Sequence, residues 1–201
     1  MAGEDAVPLR GPGGQPLMLH RSRLRPLLIG EGAGIGPTLF IAEQVRELAA
    51  RPPRPSAPEA DARTAYELAV PLPPPSAPQA DARAACELVP PPMPWRPLVL
   101  LGSTGLPFPF RPRPSVIVVP GIPTGVIACM PLLEEWGVAS RLASTLDLPG
   151  CFEGSVIALA DTWLGSLSPA ELAEVEIFPN GPEPMVREAL ELANKYARAH
   201  D

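Results

Sequence analysis

The chain has 201 residues, a formal net charge of −6, 31 prolines and 17 glycines, so one domain with something extra is expected. The acidic balance argues against nucleic acid as a partner, because neutralising phosphates needs clustered Lys and Arg. No apolar run approaches the ~20 residues a membrane span requires, which excludes a membrane partner of the spanning kind.

The N-terminus, Met1-Ala2-Gly3-Glu4-Asp5, is acidic and lacks a signal-peptide apolar stretch, so a cytoplasmic protein is expected. Cys86, Cys129 and Cys151 are odd in number and widely spaced, which fits neither a disulfide framework nor a metal site. His20 and His200 stand alone near the two ends and are expected at the surface, leaving no histidine-based triad or zinc site. Residues 1–25 read as a remnant or linker: Gly11-Pro12-Gly13-Gly14-Gln15-Pro16-Leu17 is a turn cluster, and Arg21, Arg23 and Arg25 suit a solvated edge.

Leu27, Leu28 and Ile29 form a short apolar run, as expected of a strand buried on both faces. Gly30, Gly32, Gly34 and Gly36 follow in alternation around Glu31, Ala33 and Ile35, and Pro37 then opens a helical pattern. Ile41, Val45 and Leu48 give that helix an apolar face. Strand, glycine-rich turn and helix together form an anion-binding device: the glycines allow close backbone approach, and free N–H groups at the helix start meet the ligand. A P-loop is excluded, because it needs Gly-Lys-Ser/Thr and the single lysine is Lys195. The G-x-G-x-x-G fingerprint is not matched either, since Ile35 stands at the third glycine. A turn that binds nothing remains the alternative. If phosphate is bound, the backbone approaches it at Gly34 and Gly36, and neither should tolerate a side chain.

From Pro52 to Pro94 proline dominates, and Ser56–Arg63 recurs as Ser76–Arg83 with an offset of 20 residues. Residues 51–94 read as a Pro/Ala-rich repeat insertion, either a linker or a docking segment, and dispensable for folding because loop-closure cost grows slowly with length. Leu98–Ser103 is a second buried strand whose end, Ser103, could face an adenosine ribose. Phe108–Pro114 alternates with proline and is not expected in a ladder. Ser115–Val119 is a third apolar run. Gly125–Trp136 has helical periodicity at Val126, Met130 and Leu133, kinked or restarted at Pro131. Val138–Ser144 reads as a strand, Leu148–Gly154 as a turn in which Cys151 is half-buried, and the next helix carries Val156, Ala160, Trp163 and Leu167 on one face. Val175–Phe178 is the last strand, followed by Asn180-Gly181-Pro182-Glu183-Pro184-Met185 and a helix with Met185, Ala189, Leu192 and Tyr196 on its inner face.

The Gly30–Pro37 turn, G-E-G-A-G-I-G-P, resembles the G-G-G-x-G-x-x-P-type turn of ferredoxin reductase-like flavoproteins. Gly181, Pro182, Pro184 and Met185 are similar to the C-G-P-x-P-M signature of the same family, with Asn180 in place of the cysteine near the nicotinamide. Gly11–Leu17 and the segment from Ala143 to Val156 look like two further stretches of the electron-transfer subunits of NAD-linked dihydroorotate dehydrogenases. The resemblance covers residues 11–50 and 95–199. It implies a nucleotide-binding α/β domain over 26–50 and 95–201: a doubly wound parallel sheet of about five strands carrying the proline-rich insertion. It implies NAD contacts at Gly30, Gly32, Gly34, Ile35, Gly36, Pro37, Ser103, Asn180, Gly181, Pro182 and Met185. The family's flavin barrel and cysteine-rich iron–sulfur tail have no counterpart in the sequence. FAD would therefore come only through a partner, such as a flavoprotein or a dihydroorotate dehydrogenase catalytic subunit, and no iron–sulfur cluster or catalytic side chain is expected. The function expected is that of a reduced homologue of such a subunit, an oxidoreductase module inactive alone. The alternative is a non-catalytic interaction protein that kept the fold and lost the cofactor.

Overall fold

A computed structural model describes residues 23–50 and 95–198. The repeat insertion, the Gly11–Leu17 turn, Cys86, His20 and His200 lie outside the described residues.

Five strands form one all-parallel sheet in the order β6-β5-β2-β1-β7. They are β1 (Arg25–Glu31), β2 (Leu98–Ser103), β5 (Ala139–Ser144), β6 (Phe152–Glu153) and β7 (Val175–Asn180). A parallel sheet must be covered on both faces, and alternate residues divide the work. Leu28, Val99, Leu101 and Leu142 face a layer containing α1 (Ile35–Ala50) and α2 (Pro131–Glu135). Leu27, Ile29, Leu98, Leu100 and Ala143 face α3 (Val156–Gly165) and α5 (Glu183–Arg198). The fold is thus a doubly wound α/β sandwich, as the strand–helix alternation predicts. No helix among the described residues is long and apolar enough to cross a membrane.

β1 is an interior strand paired with β2 and β7, and its residues Pro26–Gly30 are all buried. β7 is an outer strand and runs to Asn180, two residues beyond the expected Phe178. Pro179 is tolerated within it because an edge strand has a side on which no ladder partner waits for an N–H. The expected inner face of α5 holds, with Met185, Ala189 and Leu192 buried and Tyr196 partly so. α5 is tied to α3 by Asp161, whose carboxylate accepts from Lys195 Nζ at 2.7 Å and the Tyr196 hydroxyl at 2.7 Å. Burial, with that carboxylate beside it, pushes the Tyr196 hydroxyl up to about 12. A short helix not read from the sequence, α4 (Pro169–Leu172), opens on a capping box between Ser168 and Glu171.

Three expectations are corrected, and one apolar run forms no strand. α1 starts at Ile35, not Pro37, after a 3-10 turn over Gly32–Gly34, and its buried face is Thr38, Ala42 and Val45. Leu48 is 44% exposed. The Gly125–Trp136 pattern yields a helix only from Pro131. Upstream, Ala128–Cys129 (β4) pairs antiparallel with Arg113–Pro114 (β3), so the proline-alternating stretch does contribute two ladder residues. Pro131 decides this boundary, because the residue before a proline is driven out of the helical region and Met130 is extended at φ −83 and ψ 123. Finally, Ser115–Val119 is not a strand. Val116 and Val118 are 88% and 85% exposed, and side chains take the place of a neighbouring strand. The Glu134 carboxylate accepts from the Ser115 hydroxyl at 2.8 Å and the Val116 N–H at 2.7 Å, while the buried Arg141 guanidinium donates to the Ile117 carbonyl at 2.5 Å.

Burial opposes ionisation of Glu134, but donors led by the Val116 N–H and the Ser115 hydroxyl outweigh it and hold its carboxyl below the ordinary value. A depressed folded value means that the clamp stabilises fully above the ordinary glutamate value of 4.5 and is lost as pH falls through the lower folded value. Glu134→Gln should therefore remove part of the acid-induced loss of melting temperature between about pH 6 and about pH 3. Identical acid limbs for the two proteins would show that Glu134 does not anchor the 115–118 loop.

Candidate functional site

The C-terminal ends of β1, β2, β5 and β7 form one edge, and the connection after β1 leaves toward the opposite face from the connection after β7. This is the topological switch point, where doubly wound sheets place ligands. The two glycine-containing turns singled out in the sequence meet there, although about 150 residues separate them in the chain.

Gly34 is buried where the turn after β1 crosses the turn after β7. A Cβ on Gly34 would stand 2.0 Å from the Asn180 carbonyl oxygen and 2.6 Å from the Gly181 nitrogen. Both obstacles are backbone, so neither can swing away. The intolerance expected at Gly34 therefore comes from protein packing rather than from a phosphate. Gly30 is also a packing position: a Cβ there would be 2.6 Å from Thr38 Oγ1. Thr38 in turn closes the first turn of α1, its hydroxyl donating to the Gly34 carbonyl at 2.8 Å.

Gly32 and Gly36 differ. Both are exposed, and a Cβ on either would meet nothing within 4 Å. Gly32 has φ +56, which favours glycine by itself. Gly36 sits in the first turn of α1 with no such requirement. Pro37, beside it, is exposed too, and its missing N–H falls where α1 has no intrahelical acceptor to offer.

The remaining predicted residues divide between surface and core. Ile35 and Met185 are 6% and 5% exposed and belong to the two core layers, Met185 lying directly beneath Gly181. Gly181 and Pro182 are exposed, and Asn180 is half-buried with its amide 3.5 Å from the Phe178 carbonyl. The Ser103 hydroxyl is spent on the Leu106 carbonyl.

The sequence points to Ser103 at this edge but gives no role to Thr104, Ser144, Thr145 or the Glu31 carboxylate, which complete it. β2 and β5 each end in a serine that a threonine follows, Ser103-Thr104 and Ser144-Thr145, and the paired ends are laced together. The Gly105 N–H donates to Thr145 Oγ1 at 2.9 Å, and the Leu146 N–H donates to the buried Ser144 Oγ at 3.0 Å. Thr104 donates to the carboxylate of Glu31, the last residue of β1. A doubled Ser-Thr at strand ends was the available signal.

The edge leaves some of its backbone open to an anionic ligand. Gly32, Ala33 and Gly36 leave exposed backbone that a pyrophosphate could approach, and α1 begins there with the positive end of its dipole. The thiols are elsewhere in character: burial pushes both Cys129 and Cys151 up, with Glu134 adding to the rise at Cys129, so neither is a ready thiolate at neutral pH. Among the described residues no group of three or more His, Cys, Asp or Glu side chains could hold a metal ion. Compared with family models, curated proteins and solved structures, the chain matches none.

The glycines can be told apart by stability. Gly34→Ala should cost about 2–3 kcal/mol, the upper end of overpacking penalties, because two backbone groups must move. Gly36→Ala should be neutral or stabilising by up to about 1 kcal/mol, since alanine is the better helix former. Urea denaturation of both variants checks this; equal effects would mean that the two turns do not touch as described.

Proposed function

We propose that the C-terminal edge binds a dinucleotide of the NAD(H) type and that the chain is an oxidoreductase module acting with a flavoprotein. The observation that carries this reading is Gly36. It is exposed, helical and free of any packing partner within 4 Å, so the fold has no use for a glycine there. Glycine costs about 1 kcal/mol relative to alanine inside a helix, somewhat less in the first turn. A ligand that must approach the backbone gives that cost a purpose.

The residues would divide the task simply. The Gly32–Gly36 backbone would receive the pyrophosphate. Asn180 and Gly181 would flank the nicotinamide half, as the resemblance implies, with an amide where the family has a thiol. Bound NAD(H) supplies hydride chemistry, and the protein contributes binding and orientation. Asn180, Ser103, Thr104 and Glu31 carry an amide, hydroxyls and a carboxylate, none of which accepts a hydride. A flavin on a partner, such as a dihydroorotate dehydrogenase catalytic subunit, would supply the acceptor.

Titration calorimetry of NADH into the full chain should give saturable binding, and Gly36→Val should weaken it by on the order of tenfold, about 1.4 kcal/mol. The chain alone should not oxidise NADH with ferricyanide, whereas adding the flavoprotein subunit should restore turnover. Absence of binding, or identical binding by Gly36→Val, would favour the interaction-protein alternative.

A further inference from the structure

Glu31 stands where the G-G-G-x-G-x-x-P-type turn has a glycine, and the structure gives its side chain a definite place. Its position on β1 turns it to the face covered by α3 and α5. A Cβ on Gly181 would lie 3.4 Å from Glu31 Cβ, and a Cβ on Gly102 would lie 3.6 Å from Glu31 Cδ. The side chain therefore runs from the β7 turn across to the end of β2, passing over Gly102 toward the start of α3 at Val156. There the Thr104 hydroxyl donates to one carboxylate oxygen. Among the described residues no cation pairs with Glu31, so its second oxygen remains available as an acceptor.

In doubly wound dinucleotide sites a carboxylate near the end of the second strand accepts the ribose hydroxyls of NAD, while NADP sites accommodate a 2′-phosphate with an arginine instead. β2 ends at Ser103, is followed by Thr104-Gly105, and has no acid of its own. Glu31 brings one to the same place from β1. A ribose diol offers two O–H donors, which suits an unpaired carboxylate oxygen. A 2′-phosphate offers only acceptors and up to two negative charges, and like charges brought together in a recognition site are strongly disfavoured.

We infer that Glu31, steadied by Thr104 at the end of β2, reads the adenosine ribose diol and makes this edge take NAD(H) and reject NADP(H). The inference rests on the dinucleotide reading above and adds a selectivity to it.

The test is calorimetric titration of the full chain with NADH and with NADPH. Wild type should bind NADH at least about tenfold more tightly, because NADPH forfeits a charged hydrogen bond and brings its 2′-phosphate against a like charge. Glu31→Gln keeps the shape and removes the charge; it should bring the two affinities within about threefold, chiefly by improving NADPH. Thr104→Val, at an exposed position, should narrow the preference without reversing it, and circular dichroism should show both variants folded. Equal binding of the two dinucleotides by wild type, or an unchanged ratio in both variants, overturns the inference and leaves the dinucleotide site standing. Failure of every protein to bind either dinucleotide overturns the site itself and the inference with it.

Discussion

The crossing of two backbone turns at the C-terminal edge constrains everything around it. The turn after β1 and the turn after β7 approach until Gly34 has no room for a Cβ against Asn180 and Gly181. Neighbouring parallel strands lie about 4.8 Å apart, so turns leaving them toward opposite faces must pass at close range unless one is displaced. Glycine at Gly34 removes the need for displacement. The contact then fixes where α1 and α5 begin and from which point each covers its face of the sheet. Gly102 relieves a similar crowding one strand over, where a Cβ would stand 2.8 Å from Val156 Cβ at the start of α3. Three helices thus originate from one edge at spacings set by two missing methyl groups.

Such an edge has a definite electrostatic character. The start of α1 and the start of α3 each contribute roughly half a positive charge, effective within about one turn. Glu31 contributes a full negative charge at the same edge, and its hydroxyl partner Thr104 spreads that charge but does not neutralise it. A negative unit charge about 6 Å from a carboxylate is repelled by about 1–3 kcal/mol at effective dielectrics between that of water and that of a protein surface. That magnitude is comparable to what a helix start contributes. The helix start and the carboxylate therefore act with opposite sign on an anion at this edge. Position within the edge, more than overall charge, decides which groups are accepted.

The sheet was legible because buried parallel strands announce themselves as apolar runs. Leu27–Ile29, Leu98–Leu101 and Val175–Phe178 stand where the runs place them. The misread segments are those in which a side chain does what a neighbouring strand usually does. Ser115–Val119 has the composition of a strand, but Glu134 and Arg141 satisfy its backbone, and no local pattern reveals that distant carboxylates and guanidinium groups will arrive there. The site was half legible. The glycines could be seen, yet Gly34 and Gly36 look alike in the sequence. One is required by a backbone 2.0 Å away, while the other faces open space, and that difference exists only in three dimensions. Glu31 escaped notice for a related reason: it reads as an interruption in a glycine pattern until Thr104 is seen to hold it.

The placement of reactive groups bears on which chemistry this chain's own side chains can supply. Cys129 is fully buried under the 115–118 loop, and Cys151 is half-buried in the turn before β6. Desolvation raises both thiols, which suppresses the thiolate that redox exchange requires. Tyr196, pushed up to about 12, lies against α3 beside Asp161 and serves as a structural donor. At the switch point itself the side chains bind protons and hydrogen bonds but not electrons. Under the function proposed above such an edge would hold and orient a hydride donor, and orientation is worth little until an acceptor sits a few ångström away. Exposed Gly181 and Pro182, next to half-buried Asn180, leave this side of the edge accessible. Access there would let an acceptor be delivered by another protein rather than by this one.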